Sequence, residues 1–214
     1  MKTLEVKQMA DDKANESKRQ YGEYANLMNT VWQVRTGFLI NTVRGTAAAG
    51  TTSAGNTRIG NTINLRSSRI KFHALFPRNS DGIPLGGGLA VISTRCRVII
   101  VDNLKNIRGL GAADILQNTA YPLTSPYKSQ VDAGKRYRVL ADYKFNLNSH
   151  SNSDKQFEFK MPLPKSGRVV HYDGTNADPS DLNVSLIWFC KDISSLSASQ
   201  PSLNYYVNSV FEDA

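Results

Sequence analysis

From residue 31 onward, apolar side chains recur at every second position, and this period constrains the fold more than any other feature of the chain. It is clearest over 136–147. There Tyr137, Val139, Ala141, Tyr143, Phe145 and Leu147 face one way, and Arg136, Arg138, Asp142, Lys144 and Asn146 face the other. A period of two places alternate residues on opposite faces of a strand. Further runs of this kind span 31–43, 59–76, 91–102, 155–161, 167–172, 183–191 and 202–211. In the run 59–76, Ile63 and Leu65 give way to Ile70, Phe72, Ala74 and Phe76. That slip of phase at Ser67-Ser68 predicts a bulge or bend.

Eight strand-like runs separated by polar, unequal loops predict an all-β fold. The expected form is a single eight-stranded antiparallel jelly-roll sandwich over 31–214, a solution that recurs in capsids, lectins and cupins. Residues 1–30 form an N-terminal arm or short helix in this reading. Tyr21, Tyr24, Leu27, Met28 and Val31 recur at three- and four-residue steps, although Gly22 weakens a helix there. A second short helix is predicted over 112–118. The segments 45–57, 78–90, 121–134, 148–154 and 173–182 read as loops, the first of low complexity.

A chain of 214 residues suits one such domain and buries a core without disulfides or metal. Cys96 and Cys190 each lie in an apolar run and read as buried free thiols. The opening residues carry charges where a signal peptide has an apolar stretch. No window reaches the roughly 18 apolar residues of a membrane span. A soluble protein of a reducing compartment, without membrane insertion, is expected.

The net charge of +8 is unevenly placed. Residues 1–20 hold five basic and four acidic side chains, residues 21–110 eleven and three, and residues 111–214 ten and eleven. The whole excess sits in 21–110, so the folded domain can present one cationic surface to a polyanion.

Catalytic chemistry is sparse. His73, His150 and His171 do not pair with one another or with carboxylates at ligand spacing, which speaks against a cupin-like metal centre. There is no G-x-S-x-G, P-loop or H-E-x-x-H pattern, and the glycines of DGIPLGGG read as a turn. Neither enzymatic activity nor a cofactor is expected. Asp173, Asp178 and Asp181 share one loop and form a weak calcium candidate that lacks EF-hand spacing.

Arginines offer more, because the guanidinium fork matches phosphate without reading sequence. Arg95 and Arg97 share one face of their run, and Arg35 and Arg44 flank the run 31–43. In a jelly roll these two runs lie in the same sheet, so the four are expected to point from one face. Lys18 and Arg19 complete the candidate nucleic-acid set. Arg66, Arg69 and Lys71 form a second set on the other sheet. A rival reading is a carbohydrate-binding, lectin-like jelly roll, which needs an aromatic and carboxylate pocket. Trp32 and Trp188, however, both lie inside strand patterns.

Three segments in order resemble the capsid proteins of circular Rep-encoding single-stranded DNA (CRESS DNA, circovirus-like) viruses. They are RIGNTINLRSSRIKF at 58–72, CRVIIVDNLKN at 96–106, and DILQ at 114–117 followed by YKSQVDAGKRYRVLADYKFNL at 127–147. The closing SLNYYVNSVFEDA is similar in character. The resemblance implies a capsid protein that self-assembles in many copies into a small icosahedral, T=1-type shell. The shell would enclose single-stranded nucleic acid, circular DNA in that family and RNA in similar coat proteins. It further implies a virion location, assembly in the host nucleus or cytoplasm, and a host surface receptor that the sequence does not identify. One departure stands out: members begin with an arginine-rich arm, whereas residues 1–20 here net only +1. Genome binding, if electrostatic, falls to the charge of 21–110.

Overall fold

The computed structural model describes residues 17–28, 31–36, 39–40, 43–44, 57–78, 92–104, 110–129, 136–174, 176–191 and 200–214. The strands are β1 (Lys18–Leu27), β2 (Gln33–Arg35), β3 (Val43–Arg44), β4 (Thr57–Arg58), β5 (Thr62–Leu75), β6 (Ser93–Asn103), β7 (Tyr137–Asn148), β8 (Asp154–Lys160), β9 (Arg168–His171), β10 (Val184–Cys190) and β11 (Ser202–Asp213). Among the described residues one short helix, α1 (Ala112–Ile115), lies between β6 and β7, within the segment where the sequence predicts it.

Two sheets form the sandwich. One runs β1-β11-β5-β8, with β9 also paired to β5, and the other runs β2-β10-β6-β7. Every pairing in them is antiparallel. Apart from β6 and β7, which pair with each other, and β8 and β9, which both pair with β5, successive strands of the two sheets alternate between them, and the last long strand, β11, inserts between β1 and β5. This is the double Greek key of a jelly roll. Strands β8 and β9 share the partner β5 end to end, so they act as two halves of one strand position. The turn between them holds Gly167 at φ +83, where an added Cβ would lie 2.9 Å from the Leu65 carbonyl oxygen. Only glycine fits such a position.

The segment expected as an N-terminal helix is corrected: 18–27 is a strand, paired residue for residue with β11. The proposed boundary at residue 30 therefore cuts through the sandwich. Among its described residues, the run 31–43 contributes the three residues of β2 to a main sheet. The other seven runs correspond to β5 through β11.

Two bulges reconcile the sequence phases with the layers. In β5 the register with β11 shifts so that Phe211 pairs with Leu65 and Val210 with Ser67. Arg66 is the extra residue, and inward positions pass from Ile63 and Leu65 to Ser68, Ile70 and Phe72, as the slip at Ser67-Ser68 predicts. In β7 the register with β6 shifts between Ile100 and Val101, leaving Leu140 extra. The single alternation over 136–147 is thereby split. Tyr137 and Val139 serve an outer cluster, and Ala141, Tyr143, Phe145 and Leu147 serve the core between the sheets.

That core is filled by rings. Phe157 stacks on Phe72 at 4.8 Å and meets Tyr143 at 4.6 Å and Phe145 at 5.4 Å, while Phe72 meets Tyr205 at 5.7 Å. Val98, Ile100, Leu186 and Trp188 close it from the four-stranded sheet. Cys96 and Cys190 are cross-strand partners, both buried thiols outside any disulfide. Burial, and then the neighbouring Cys190, push the Cys96 thiol far above its ordinary range.

Candidate nucleic-acid interface

A sheet has two faces, and each outer face of this sandwich is either roofed by chain or open to solvent. The four-stranded sheet is roofed. Residues 110–129 lie across it, with Leu110, Ile115 and Leu116 packed on Ile99, Val101, Ile187 and Phe189. Asp114 accepts a hydrogen bond from the Gly111 backbone at 2.8 Å at the start of α1. Tyr137 donates to the carbonyls of Ile115 (3.1 Å) and Lys128 (3.0 Å), tying the roof to β7.

Arg97 is the pin beneath this roof. It projects outward from β6 yet is only 1% exposed. Nε and Nη2 grip the two oxygens of Asp142 at 2.8 Å each, and Nη1 donates to the carbonyls of Pro122 (2.6 Å) and Ser125 (3.1 Å). Tyr127 donates to the same carboxylate at 2.7 Å. Burial by itself would raise the Asp142 carboxyl. The hydrogen bonds from Arg97 and Tyr127, with the charges of Arg97 and Lys144, outweigh it and hold the group below its ordinary value.

The expected face of four arginines is therefore not formed. Arg97 is consumed by the roof. Arg35 shares its sheet but turns to the opposite side, with its guanidinium 3.9 Å above the Tyr24 ring. Arg44 lies in neither main sheet, since β3 pairs in parallel with β4 as a separate ribbon. Arg95 remains exposed, beside Lys191 and the exposed ring of Tyr121. Of the arm pair, Lys18 donates to Asp213 and to the Thr57 carbonyl, whereas Arg19 is exposed. Arg58, which opens the Arg-Ile-Gly segment, is fully buried and donates to the carbonyls of Gly60, Gly174 (2.8 Å) and Asn176 (2.9 Å). It fastens a loop.

The outer face of the β1-β11-β5-β8 sheet is covered by no segment among the described residues, and it gathers the second arginine set. The registers place Tyr21, Asn208, Arg69 and Lys160 in one row across four strands. Glu23, Tyr206, Lys71 and Glu158 form the adjacent row. Arg19 lies two residues from Tyr21 on the same face. Arg66 pairs with Glu212 at 2.6 Å and Arg69 with Glu158 at 2.8 Å. Tyr206 donates to Glu23 at 2.9 Å. Arg19, Lys71 and Lys160 have no ion-pair partner among the described residues. A groove of about 480 Å³ runs between the rows, lined by Tyr21, Glu23, Arg69, Lys71, Tyr206 and Asn208. The sequence held the signal for this face in Arg66, Arg69 and Lys71, but Tyr21, Tyr206 and Lys160 join it only through strand pairing.

Among the described residues, no three His, Cys, Asp or Glu side chains come together as a metal site. The calcium candidate does not assemble: Asp181 engages His171, accepting from its backbone at 2.9 Å and meeting Nδ1 at 2.6 Å. His73 faces Asp154 at 3.5 Å. Trp188 is buried in the core, and Trp32 packs on the roof cluster. No helix among the described residues is long and apolar enough to cross a membrane.

No family model and no curated protein matches the chain. Solved structures do show similarity. A chain of Desmodium yellow mottle tymovirus is 10% identical with a TM-score of 0.41, covering 93% of this chain and 88% of that one. A chain of Mud crab tombus-like virus is 13% identical at 0.43, covering 93% and 89%. A chain of Macrobrachium rosenbergii nodavirus is 12% identical at 0.42, covering 93% of this chain and 53% of that one.

Proposed function

We propose that this protein is a viral coat protein whose copies assemble into a closed shell around a single-stranded nucleic acid, with the bare five-stranded face turned toward the genome. The observation that carries the reading is the contrast between the two sheets of the jelly roll. One is roofed and pinned by Arg97, and the other is left open by the described residues and set with cations and tyrosines. A ring-filled interior leaves the surface of the domain as its working part. Closed symmetry repeats the same heterologous contact many times, so a modest interface of about 1,000 Å² sums to a stable particle.

Exposed apolar side chains offer material for such contacts: Leu27 on β1, Val34 on β2, Leu104 after β6 and Val169 on β9. Binding of nucleic acid on the open face is electrostatic and indifferent to sequence, because strand-borne Arg and Lys reach phosphates without a groove-reading element. The finer reading is a T=1-type particle holding circular single-stranded DNA, assembled in the nucleus or cytoplasm of the host. It is supported by the three segments that resemble circovirus-like capsid proteins.

Negative-stain microscopy of the purified protein, combined with nuclease digestion of any nucleic acid that copurifies, tests the proposal. Uniform spheres carrying protected single-stranded nucleic acid are expected. A monomer that forms no particle in any buffer and carries no nucleic acid would overturn it.

A further inference from the structure

Cations alone do not account for the open face. Its two largest exposed side chains are tyrosines, Tyr21 at 62% and Tyr206 at 54% exposure. Rings of this size on a face that only had to remain soluble are a cost, and here both line one groove with Arg69, Lys71 and Asn208. Tyr21 is paired with Asn208, so Tyr206 is its diagonal neighbour on β11. Such neighbours stand about 7–8 Å apart. A flat base between two rings needs about twice the 3.4 Å stacking repeat, roughly 7 Å.

The groove is also prepared for a polar guest. Tyr206 is oriented by its hydrogen bond to Glu23 at 2.9 Å. The Asn208 Oδ1 is shut off from solvent and has no hydrogen-bond partner among the described residues, so the amide gains a bond if it turns to a base edge. Lys71 lies beside Tyr206 in its row and Arg69 lies in the row of Tyr21, close enough for phosphates on either side of a seated base. Arg69 must trade Glu158 for a phosphate, and Glu23 opposes the phosphates. Lys71, Arg19 and Lys160 supply the surplus charge.

We infer that this groove is a base-stacking subsite for unpaired nucleotides, in which Tyr21 and Tyr206 sandwich a base while Arg69 and Lys71 hold its flanking phosphates. The inference rests on the proposed nucleic-acid role of the open face and adds that the ligand is single-stranded and read through its bases' flat surfaces. Stacking tolerates every base, so the site has no sequence preference, yet it excludes a duplex whose bases are already stacked.

The test compares two probes with equal phosphate count, a fluorescent dodecamer of thymidylate and an abasic chain of the same length, by anisotropy on the full-length protein at fixed salt. The wild type is expected to bind the thymidylate chain more tightly. Tyr21→Leu and Tyr206→Leu should each weaken that binding about 5- to 150-fold, the range of one lost stacking contact. Their affinity for the abasic chain and their circular dichroism should stay unchanged. Lys71→Ala should weaken both probes alike. Equal wild-type affinity for the two chains would overturn the stacking subsite while leaving the electrostatic role standing. Failure of the wild type to bind either chain at low salt would overturn both.

Discussion

Replacing Arg97 with Met tests the roof, and the consequence can be worked from the contacts. The substitution keeps the length and apolar stem of the side chain but removes four hydrogen bonds, two to Asp142 and one each to the carbonyls of Pro122 and Ser125. Asp142, a residue at the surface whose side chain is 22% exposed, is left with Tyr127 as its remaining donor. Breaking one side of a buried pair costs about 3–5 kcal/mol. Partial access of water to Asp142 favours the lower end, about 3 kcal/mol. With a urea dependence of about 3 kcal/mol per molar, the midpoint of the unassembled protein should fall by about 1 M. Tryptophan fluorescence follows the transition. The double variant Arg97→Met with Asp142→Leu removes both charges, so most of the loss should return. About 1 kcal/mol should persist for the orphaned carbonyls. A single variant within about 0.5 kcal/mol of the wild type, or a double variant worse than the single, would refute the pin.

Acid should probe the same group. The folded-state value of Asp142 is depressed, so its contribution is complete above the unfolded value of about 3.9 and disappears as pH falls through the folded value. Stability measured from pH 5 downward should drop less steeply in the double variant; equal slopes would contradict the assignment. Lys71→Ala and Lys160→Ala should each reduce the slope of log affinity against log salt for an oligonucleotide by about 0.7. Gly167→Ala should cost about 2 kcal/mol in a chemical unfolding series, because β8 and β9 need the left-handed turn. The Cys96 thiol should resist alkylation in the native protein at pH 8 and react on unfolding, as its burial directs; fast native labelling would count against the core described.

The layering was legible in the alternation of strands such as β5, β8 and β11, which bury one face and leave the other to water, whereas β10 and most of β6 are buried on both faces beneath the roof. β1 was not. Its inner positions are Gln20, Gly22, Tyr24 and Asn26 and its outer ones include Tyr21 and Leu27, so its large apolar residues fall at helical steps. An edge strand with an open aromatic face breaks the apolar-in, polar-out rule that the reading relies on. The arginines show a second limit. Alternation establishes that Arg95 and Arg97 leave β6 on one side. It carries no information on which loop will return to cover that side, and residues 110–129 cover Arg97 and leave Arg95 exposed. Pairing of distant strands, β1 with β11 and β11 with β5, created the tyrosine and lysine rows, and no local pattern in 17–28 announces that partner.

The orientation of the domain in an assembled particle is the most direct test of the whole account. A cryo-microscopy reconstruction of nucleic-acid-filled particles should show the β1-β11-β5-β8 sheet lining the lumen, with ordered density against Tyr21, Tyr206, Lys71 and Lys160. A shell in which that sheet faces the exterior, with the lumen lined by the roof over Arg97, would contradict it.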